Sequence, residues 1–186
     1  EIRTLLIDLD PQSNATTGLS SLAKGFDGSI YDILIKGAEV SDKINKTSFS
    51  YLDIIPSSND LVGAEVELVG IMAREYQLKK SIDSVNKNYD IVIIDCPPSL
   101  GLLTINALTA SNCIIIPIQC EYYALEGLGQ LLNTVRLVQQ HLNKDLKIAG
   151  VIMTMYDSRL NLSNQVVDEV NSFFKEKLFK TYIHRN

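Results

Sequence analysis

Histidine and cysteine are scarce in this sequence, with two and three residues among 186. These are the usual ligands of structural zinc, and no C-x-x-C pair is present, so a zinc or iron–sulfur site is not expected. The cysteines Cys96, Cys113 and Cys120 lie in or beside apolar segments. That placement favours reduced thiols packed in the interior of a cytoplasmic protein.

Long hydrophobic runs are also absent, because no apolar segment approaches the roughly 20 residues that a membrane-spanning helix needs. The formal net charge is −5, so the chain as a whole has no electrostatic attraction for nucleic acid or anionic membranes. A length of 186 residues suits one domain with a sizeable core.

Two apolar segments end in carboxylates. Leu5, Leu6 and Ile7 precede Asp8 and Asp10, and a second apolar segment over 91–94 precedes Asp95. Such runs are typical of buried parallel strands, whose carboxyl ends meet at one edge of a sheet. Carboxylates gathered there predict a site for a hydrated divalent cation and phosphates.

Strand and helix signals alternate along almost the whole chain, which predicts an α/β fold: a three-layer, mostly parallel sheet with helices on both faces. The polar segment 12–18 is interpreted as a loop near a ligand. Beyond the two strands that end in aspartate, we expect strands at 52–55, 113–118, 147–154 and 181–183, and helices at 29–35, 59–69, 74–85, 103–110, 122–142 and 162–174.

Four motifs together resemble the ParA/Soj partition ATPases, which belong to the deviant-Walker, MinD-like branch of the P-loop NTPases. The resemblance extends from Leu5 to Asn186. The motifs are LLIDLDPQSNAT (5–16), IIDCPPSLG (93–101), PIQCEYYALEG (117–127) and TMYD (154–157).

The sequence departs from this family in three ways. It contains no G-x-x-x-x-G-K-[ST] phosphate loop, and it stops before further elements that the family has. We therefore expect 1–186 to be a single domain truncated at both ends, with a central strand missing between the Asp95 and Cys113 strands and little activity of its own. His184 stands where the family usually has proline.

The resemblance implies specific roles for the carboxylates. Asp10 would be the catalytic residue that orients the attacking water, Asp95 would hold Mg²⁺ through water, and Asp8 would lie beside the metal and the nucleotide phosphates. Two alternatives remain open: Asp10 could simply cap the turn before Pro11, and Asp8 could have a structural hydrogen-bonding role.

Further roles follow from the same resemblance. Pro97 and Pro98 would form a nucleotide-dependent switch, and Glu121 and Glu126 would lie near a dimer interface, although acidic residues also favour helix starts. The residues implied near the adenine are Met155 and Asn186, and those implied in DNA contact are Arg159 and Arg185.

The implied function is an ATP- and Mg²⁺-dependent partitioning protein in the cytoplasm, associated with the nucleoid. It would dimerise on ATP, bind DNA nonspecifically, and hydrolyse ATP when a ParB-type centromere-binding protein stimulates it, without membrane contact. Two alternatives are a MinD-type membrane-associated cell-division ATPase and a non-catalytic fragment that binds no nucleotide.

Overall fold

The first apolar strand of the chain lies inside a four-stranded sheet in the computed structural model of the protein. The structure describes residues 1–20, 25–121 and 126–185. They form two units, residues 1–110 and residues 111–186, and each unit is described by itself.

Parallel pairing dominates the sheet of the first unit. Its strands are β1 (Thr4–Asp8), β2 (Asn45–Lys46), β3 (Leu52–Ile55) and β4 (Ile91–Asp95). Strand β1 lies between β3 and β4 and runs parallel to both, whereas β2 pairs antiparallel with the outer edge of β3. Both strands that end in aspartate are therefore direct neighbours.

Helices bury the central strand of this unit. They are α1 (Asn14–Ser20), α2 (Ile30–Leu34), α3 (Leu61–Glu67), α4 (Gln77–Ile82) and α5 (Leu102–Ala110). Leu5, Ile7 and Leu9 are fully buried in one cluster with apolar residues of α2 to α5. Strand β4 is more open, since Ile91 and Ile93 are 45% and 50% exposed and β4 pairs only with β1 among the described residues.

The second unit contains two parallel strands, each followed by a helix. Its elements are β5 (Cys113–Gln119), α6 (Glu126–His141), β6 (Lys147–Thr154) and α7 (Asn161–Phe174). A register irregularity separates Ile114 from Ile115 in the β5–β6 pair. Ile116, Met153 and Val170 belong to a separate apolar cluster that this unit buries by itself.

The α/β prediction is confirmed, and the five predicted strands up to residue 154 are present. The strand predicted to begin at 181–183 is wrong, because no regular strand forms there. Ile183 makes isolated backbone hydrogen bonds with Met153 (2.9 Å) and Tyr156 (3.1 Å), next to a bridge between Tyr156 and His184. The predicted loop at 12–18 is largely helix α1. That the chain forms one domain stays a prediction.

The predicted helices are present, and those at 103–110 and 162–174 each begin one residue earlier than predicted, whereas those at 29–35, 59–69 and 74–85 are shorter. The segment 74–85 begins as a 3₁₀ turn over Arg74–Tyr76, after Ala73 in a left-handed conformation (φ +52°), and continues as α4. The segment 59–69 similarly ends in a 3₁₀ turn, at Leu68–Gly70. The helix predicted at 122–142 is described from Glu126, since 122–125 lie outside the described residues. No described helix has the length and apolar character needed to cross a bilayer.

One buried polar side chain joins three helical segments in the first unit. Asn106 of α5 is fully buried, and its Oδ1 accepts a hydrogen bond from the backbone N–H of Leu78 (3.1 Å). Its Nδ2 donates to the carbonyl groups of Arg74 (2.8 Å) and Leu102 (2.9 Å). The amide thereby satisfies backbone groups at the start of α4, where the helix has just left the 3₁₀ turn.

Replacing Asn106 by Leu should lower the free energy of unfolding by about 2–4 kcal/mol, because backbone groups would remain buried without partners. Urea unfolding of wild type and variant measures this loss. The exposed Asn88 is the matched control, and Asn88→Leu should change stability by less than about 0.5 kcal/mol. Equal losses in the two variants would contradict the structural role of Asn106.

Candidate active site

Three carboxylates come together where β1 and β4 end. Asp8 and Asp95 are register partners in the parallel pair, and the backbone N–H of Leu9 donates to the Asp95 carbonyl (2.8 Å). Asp10 follows two residues after Asp8. The sequence-based expectation that these side chains share one edge of the sheet is confirmed by this geometry.

Asp8 is fully buried and its carboxylate is engaged in hydrogen bonds. Its Oδ2 accepts from both the backbone N–H and the Oγ1 hydroxyl of Thr16 (2.7 Å each), and its Oδ1 accepts from the N–H of Asp10 (3.2 Å). These bonds give both oxygens of the carboxylate a donor without any metal. The geometry therefore favours the structural alternative for Asp8 over a direct place in the metal shell.

Thr16 extends this network to a third strand. Its Oγ1 accepts a hydrogen bond from the backbone N–H of Ser57 (2.9 Å), just beyond β3, and Ser57 Oγ donates to the Asp10 carbonyl (2.7 Å). Sequence reasoning did not identify Thr16 or Ser57 as part of the site. The only signal was that Thr16 lies in the polar segment directly after Asp10.

Replacing Thr16 by Val should cost about 2 kcal/mol of stability, because Asp8 loses a hydroxyl donor and the Ser57 N–H loses its acceptor. Thr17→Val is a matched control in the same helix, since Thr17 is exposed. Urea unfolding of both variants tests the expectation. It is wrong if Thr17→Val costs as much as Thr16→Val.

Asp10 is half-buried and shapes the turn that follows it. Its Oδ1 accepts the N–H of Gln12 (2.9 Å) and its carbonyl accepts the N–H of Ser13 (2.9 Å), whose φ is +54°. This is an Asx turn, so the capping role considered from the sequence is present. Among the described residues no hydrogen bond occupies Oδ2, which leaves that oxygen able to accept from a water molecule.

Burial and nearby negative charge raise the pKa of two groups at this edge, Asp95 and Cys96. Burial raises the pKa of Asp95 above its ordinary value, and the charges of Asp8 and Asp10 raise it further. Burial, with Asp95 and Asp10 nearby, raises the pKa of the Cys96 thiol to about 12, so Cys96 is a neutral packing residue at neutral pH. A cation beside Asp95 would relieve this repulsion.

The donor chemistry fits magnesium held through water. Carboxylate oxygens suit Mg²⁺, which retains several waters and is commonly bound by one or two carboxylates plus phosphate oxygens. Within the described ranges no group of three or more His, Cys, Asp or Glu side chains could hold a metal ion. One carboxylate such as Asp95, with water and phosphate as the remaining ligands, would fit this mode of magnesium binding.

Asp95→Asn should raise the melting temperature at pH 7 by about 2 °C, because it removes a carboxylate whose folded-state pKa is raised. A raised pKa means that ionisation costs stability once the pH passes the unfolded-state value of about 4. The gain should therefore vanish near pH 3.5. Thermal unfolding across this pH range is the measurement.

Asp83→Asn, at an exposed position, is the control and should leave the melting temperature unchanged at both pH values. A lower melting temperature for Asp95→Asn at pH 7 would show that the Asp95 carboxylate stabilises the fold, and would contradict the expected cost of its ionisation.

The turn after Asp95 leads directly into α5. Pro97 is half-buried and Pro98 is exposed. The hydroxyl of Thr104 donates to the carbonyl of Ser99 (2.6 Å), and the N–H of Ile105 donates to the carbonyl of Gly101 (3.0 Å). The two prolines thus lie in a short, stiff connection between the carboxylate edge and a helix, and their switch role stays a prediction.

The other sequence-predicted residues belong to the second unit. Met155 follows β6 in a left-handed conformation (φ +54°), and Tyr156 packs edge-on against Tyr182 (5.0 Å) and His184 (5.4 Å between ring centroids). Parallel backbone pairing joins Tyr156 to this terminal segment. His184, at the family's proline position, thus takes part in an aromatic cluster that the sequence did not predict.

Arg159 is held by a neighbouring carboxylate. Its Nε and Nη2 donate to the two oxygens of Asp157 (2.9 and 2.7 Å), which lowers the pKa of Asp157 well below its usual range. A phosphate would have to compete with this pair. Arg185 and Glu121 are exposed, whereas Asn186 and the side chain of Glu126 lie outside the described residues.

A cavity of about 480 Å³ lies at the opposite end of the first unit's sheet. Its lining includes Arg3, Phe49 and Tyr51, and at its wall Asp53 accepts hydrogen bonds from Lys46 Nζ (2.7 Å) and Tyr89 Oη (2.8 Å). None of Asp8, Asp10 and Asp95 lines it. The cavity is therefore not the carboxylate site, despite its volume.

Comparison with known proteins identifies the family of this chain. Residues 1–148 match the family described as "AAA domain". The chain is 58% identical over 184 residues to the sporulation initiation inhibitor protein Soj of Bacillus subtilis, covering 99% of this chain and 73% of that protein.

Solved structures agree with this assignment. Cobyrinic acid a,c-diamide synthase from Mycobacterium smegmatis, with bound ADP and magnesium, has a TM-score of 0.90 at 39% identity, over 100% of this chain and 75% of that one. A plasmid partition protein from Borrelia burgdorferi has a TM-score of 0.84 at 28% identity, over 100% and 78%.

The fold and these comparisons place the chain in the P-loop NTPase class, in a family whose members are ATPases. Within that class, the chain belongs to the Soj/ParA family of chromosome-partitioning ATPases.

Proposed function

We propose that this protein hydrolyses ATP with Mg²⁺ during chromosome or plasmid partition, and that Asp10 and Asp95 do the chemistry at the carboxyl ends of β1 and β4. The observation that carries the proposal is the convergence of these carboxylates on adjacent parallel strands. Binding of ADP and magnesium by the mycobacterial structural relative supports the same pair of ligands.

The two carboxylates would divide the work. Asp10, with Oδ1 engaged by Gln12, offers Oδ2 to orient and polarise an attacking water. Asp95, whose ionised form is disfavoured by burial, would hold magnesium through water and gain from its charge. Asp8 would act indirectly, since its bonds to Thr16 and Asp10 hold the end of β1 in place.

Partition by such an ATPase requires dimerisation and DNA binding as well as ATP hydrolysis. We propose that the protein dimerises on ATP through surfaces that include Glu121 and Glu126, that Pro97 and Pro98 transmit the nucleotide state, and that Met155 and Asn186 lie near the adenine. Nonspecific DNA binding would involve Arg185, and Arg159 once it is released from Asp157. A ParB-type centromere-binding protein would stimulate turnover on the nucleoid.

Asp10→Asn in the full-length protein should lower the rate of Mg²⁺-dependent ATP hydrolysis by about 10²-fold or more, because the amide cannot act as a base towards water. Binding of Mg²⁺–ATP, followed with a fluorescent ATP analogue, should change little. Asp83→Asn is the control for both measurements. Unchanged turnover in Asp10→Asn would overturn the proposed role of Asp10.

Two other functions are considered, of which the first is distinguished by a binding measurement and the second by sequence identity. A MinD-type protein would co-sediment with anionic phospholipid vesicles when ATP is present, whereas we expect retention on nonspecific DNA. The name of the mycobacterial relative suggests amide formation, but identity to that protein is 39% against 58% for the partition relative. We therefore assign partition.

A further inference from the structure

Glu65 has a carboxylate oxygen that is buried without a hydrogen-bond partner among the described residues. This oxygen is Oε1, and the side chain extends from helix α3. A buried carboxylate oxygen without a donor is unfavourable, and native proteins contain few of them. Such an atom therefore calls for an explanation beyond packing.

The Glu65 carboxylate lies against the backbone of Gly101. A Cβ added at Gly101 would overlap Oε1 and would lie 2.6 Å from Cδ and 2.7 Å from Oε2 of Glu65. The φ of Gly101 is outside the left-handed region, so its backbone conformation does not demand glycine. The end of the Glu65 side chain therefore occupies the space that a side chain at Gly101 would need.

Gly101 is the last residue before α5, a helix of nine residues. The negative charge of Glu65 is thus placed beside the amino end of that helix, where the helix dipole favours it. The 97–101 turn is bonded to the first turn of α5 through Ser99 and Gly101. A displacement of Gly101 would consequently move the turn and the helix start together.

We propose that Glu65 is a positioning residue for the metal-binding edge. Its carboxylate holds Gly101 and the 97–101 turn, and that turn continues without a break from Asp95. The φ angles of Pro97 and Pro98 are fixed, which limits how far the turn can absorb a displacement at Gly101. The inference rests on the proposed function, because its consequence is the placement of Asp95 towards magnesium.

The contact itself is tested by a steric swap in the full-length protein. Gly101→Ala should lower the melting temperature by about 2 °C, because its Cβ has to displace the end of the Glu65 side chain. In the Glu65→Ala background the same substitution should cost much less, since the space is then free. Additive losses in the double variant would overturn the contact as the reason for Gly101.

The positioning role is tested by the Mg²⁺ dependence of ATP hydrolysis. Glu65→Gln keeps the size of the side chain and removes its charge, and it should raise the half-saturating Mg²⁺ concentration by about threefold. This is below the roughly 10–100-fold effect of groups that bond a metal ligand directly. A residue that only supports the fold would change the melting temperature and leave the Mg²⁺ dependence unaltered.

Glu67→Gln is the matched control, because Glu67 is on the same helix, is exposed, and contacts the Tyr31 hydroxyl (3.1 Å). It should leave the Mg²⁺ dependence unchanged. The same result for Glu65→Gln would overturn the positioning role. Absence of Mg²⁺-dependent hydrolysis in wild type would instead overturn the proposed function, while the steric swap would still report on the contact.

Discussion

The buried carboxylate of Asp8 is the interaction on which the geometry of the site depends. Its bonds to Thr16 and to the N–H of Asp10 join the end of β1 to the start of α1. Through Thr16 the same group reaches Ser57, beyond β3. A charge with no exposed surface is tolerable only when donors surround it, so these segments can take few other arrangements. The position of Asp10 follows from that constraint.

At the end of β4, the Asp95 carboxylate is unfavourable for stability but suited to binding a cation. Asp95 is held near two other carboxylates and is partly buried, which disfavours its ionised form. Elsewhere in the unit, the buried amide of Asn106 is satisfied by three hydrogen bonds. The unfavourable electrostatics are therefore concentrated where a cation would be useful, as is typical of active sites. The unpaired oxygen of Glu65 lies beside the turn that leaves the same strand.

Patterns local in sequence predicted most of the fold. Apolar runs ending in aspartate located β1 and β4, and the alternation of strand and helix indicated the parallel sheet. The errors occurred at two segments: 181–183 has strand-forming residues but makes only isolated backbone hydrogen bonds through Ile183, and 12–18 is polar yet largely helical. In the 12–18 segment, the hydrogen bond from Thr16 to Asp8 outweighs the local preference for a loop. No sequence pattern shows such a bond.

The sequence by itself determined the fold class, the family and the gathering of Asp8, Asp10 and Asp95, because strand direction and period are local properties that place these side chains at one edge. Only the tertiary structure decided what each carboxylate does there. The Asp8 carboxylate accepts three hydrogen bonds. Asp10 keeps one carboxylate oxygen without a hydrogen bond among the described residues, and burial and two neighbouring carboxylates disfavour the ionised form of Asp95. Glu65 and Gly101 are 36 positions apart along the chain, and their contact arises from the packing of α3 beside α5. Burial and hydrogen bonding depend on distant residues, so a linear pattern cannot specify them.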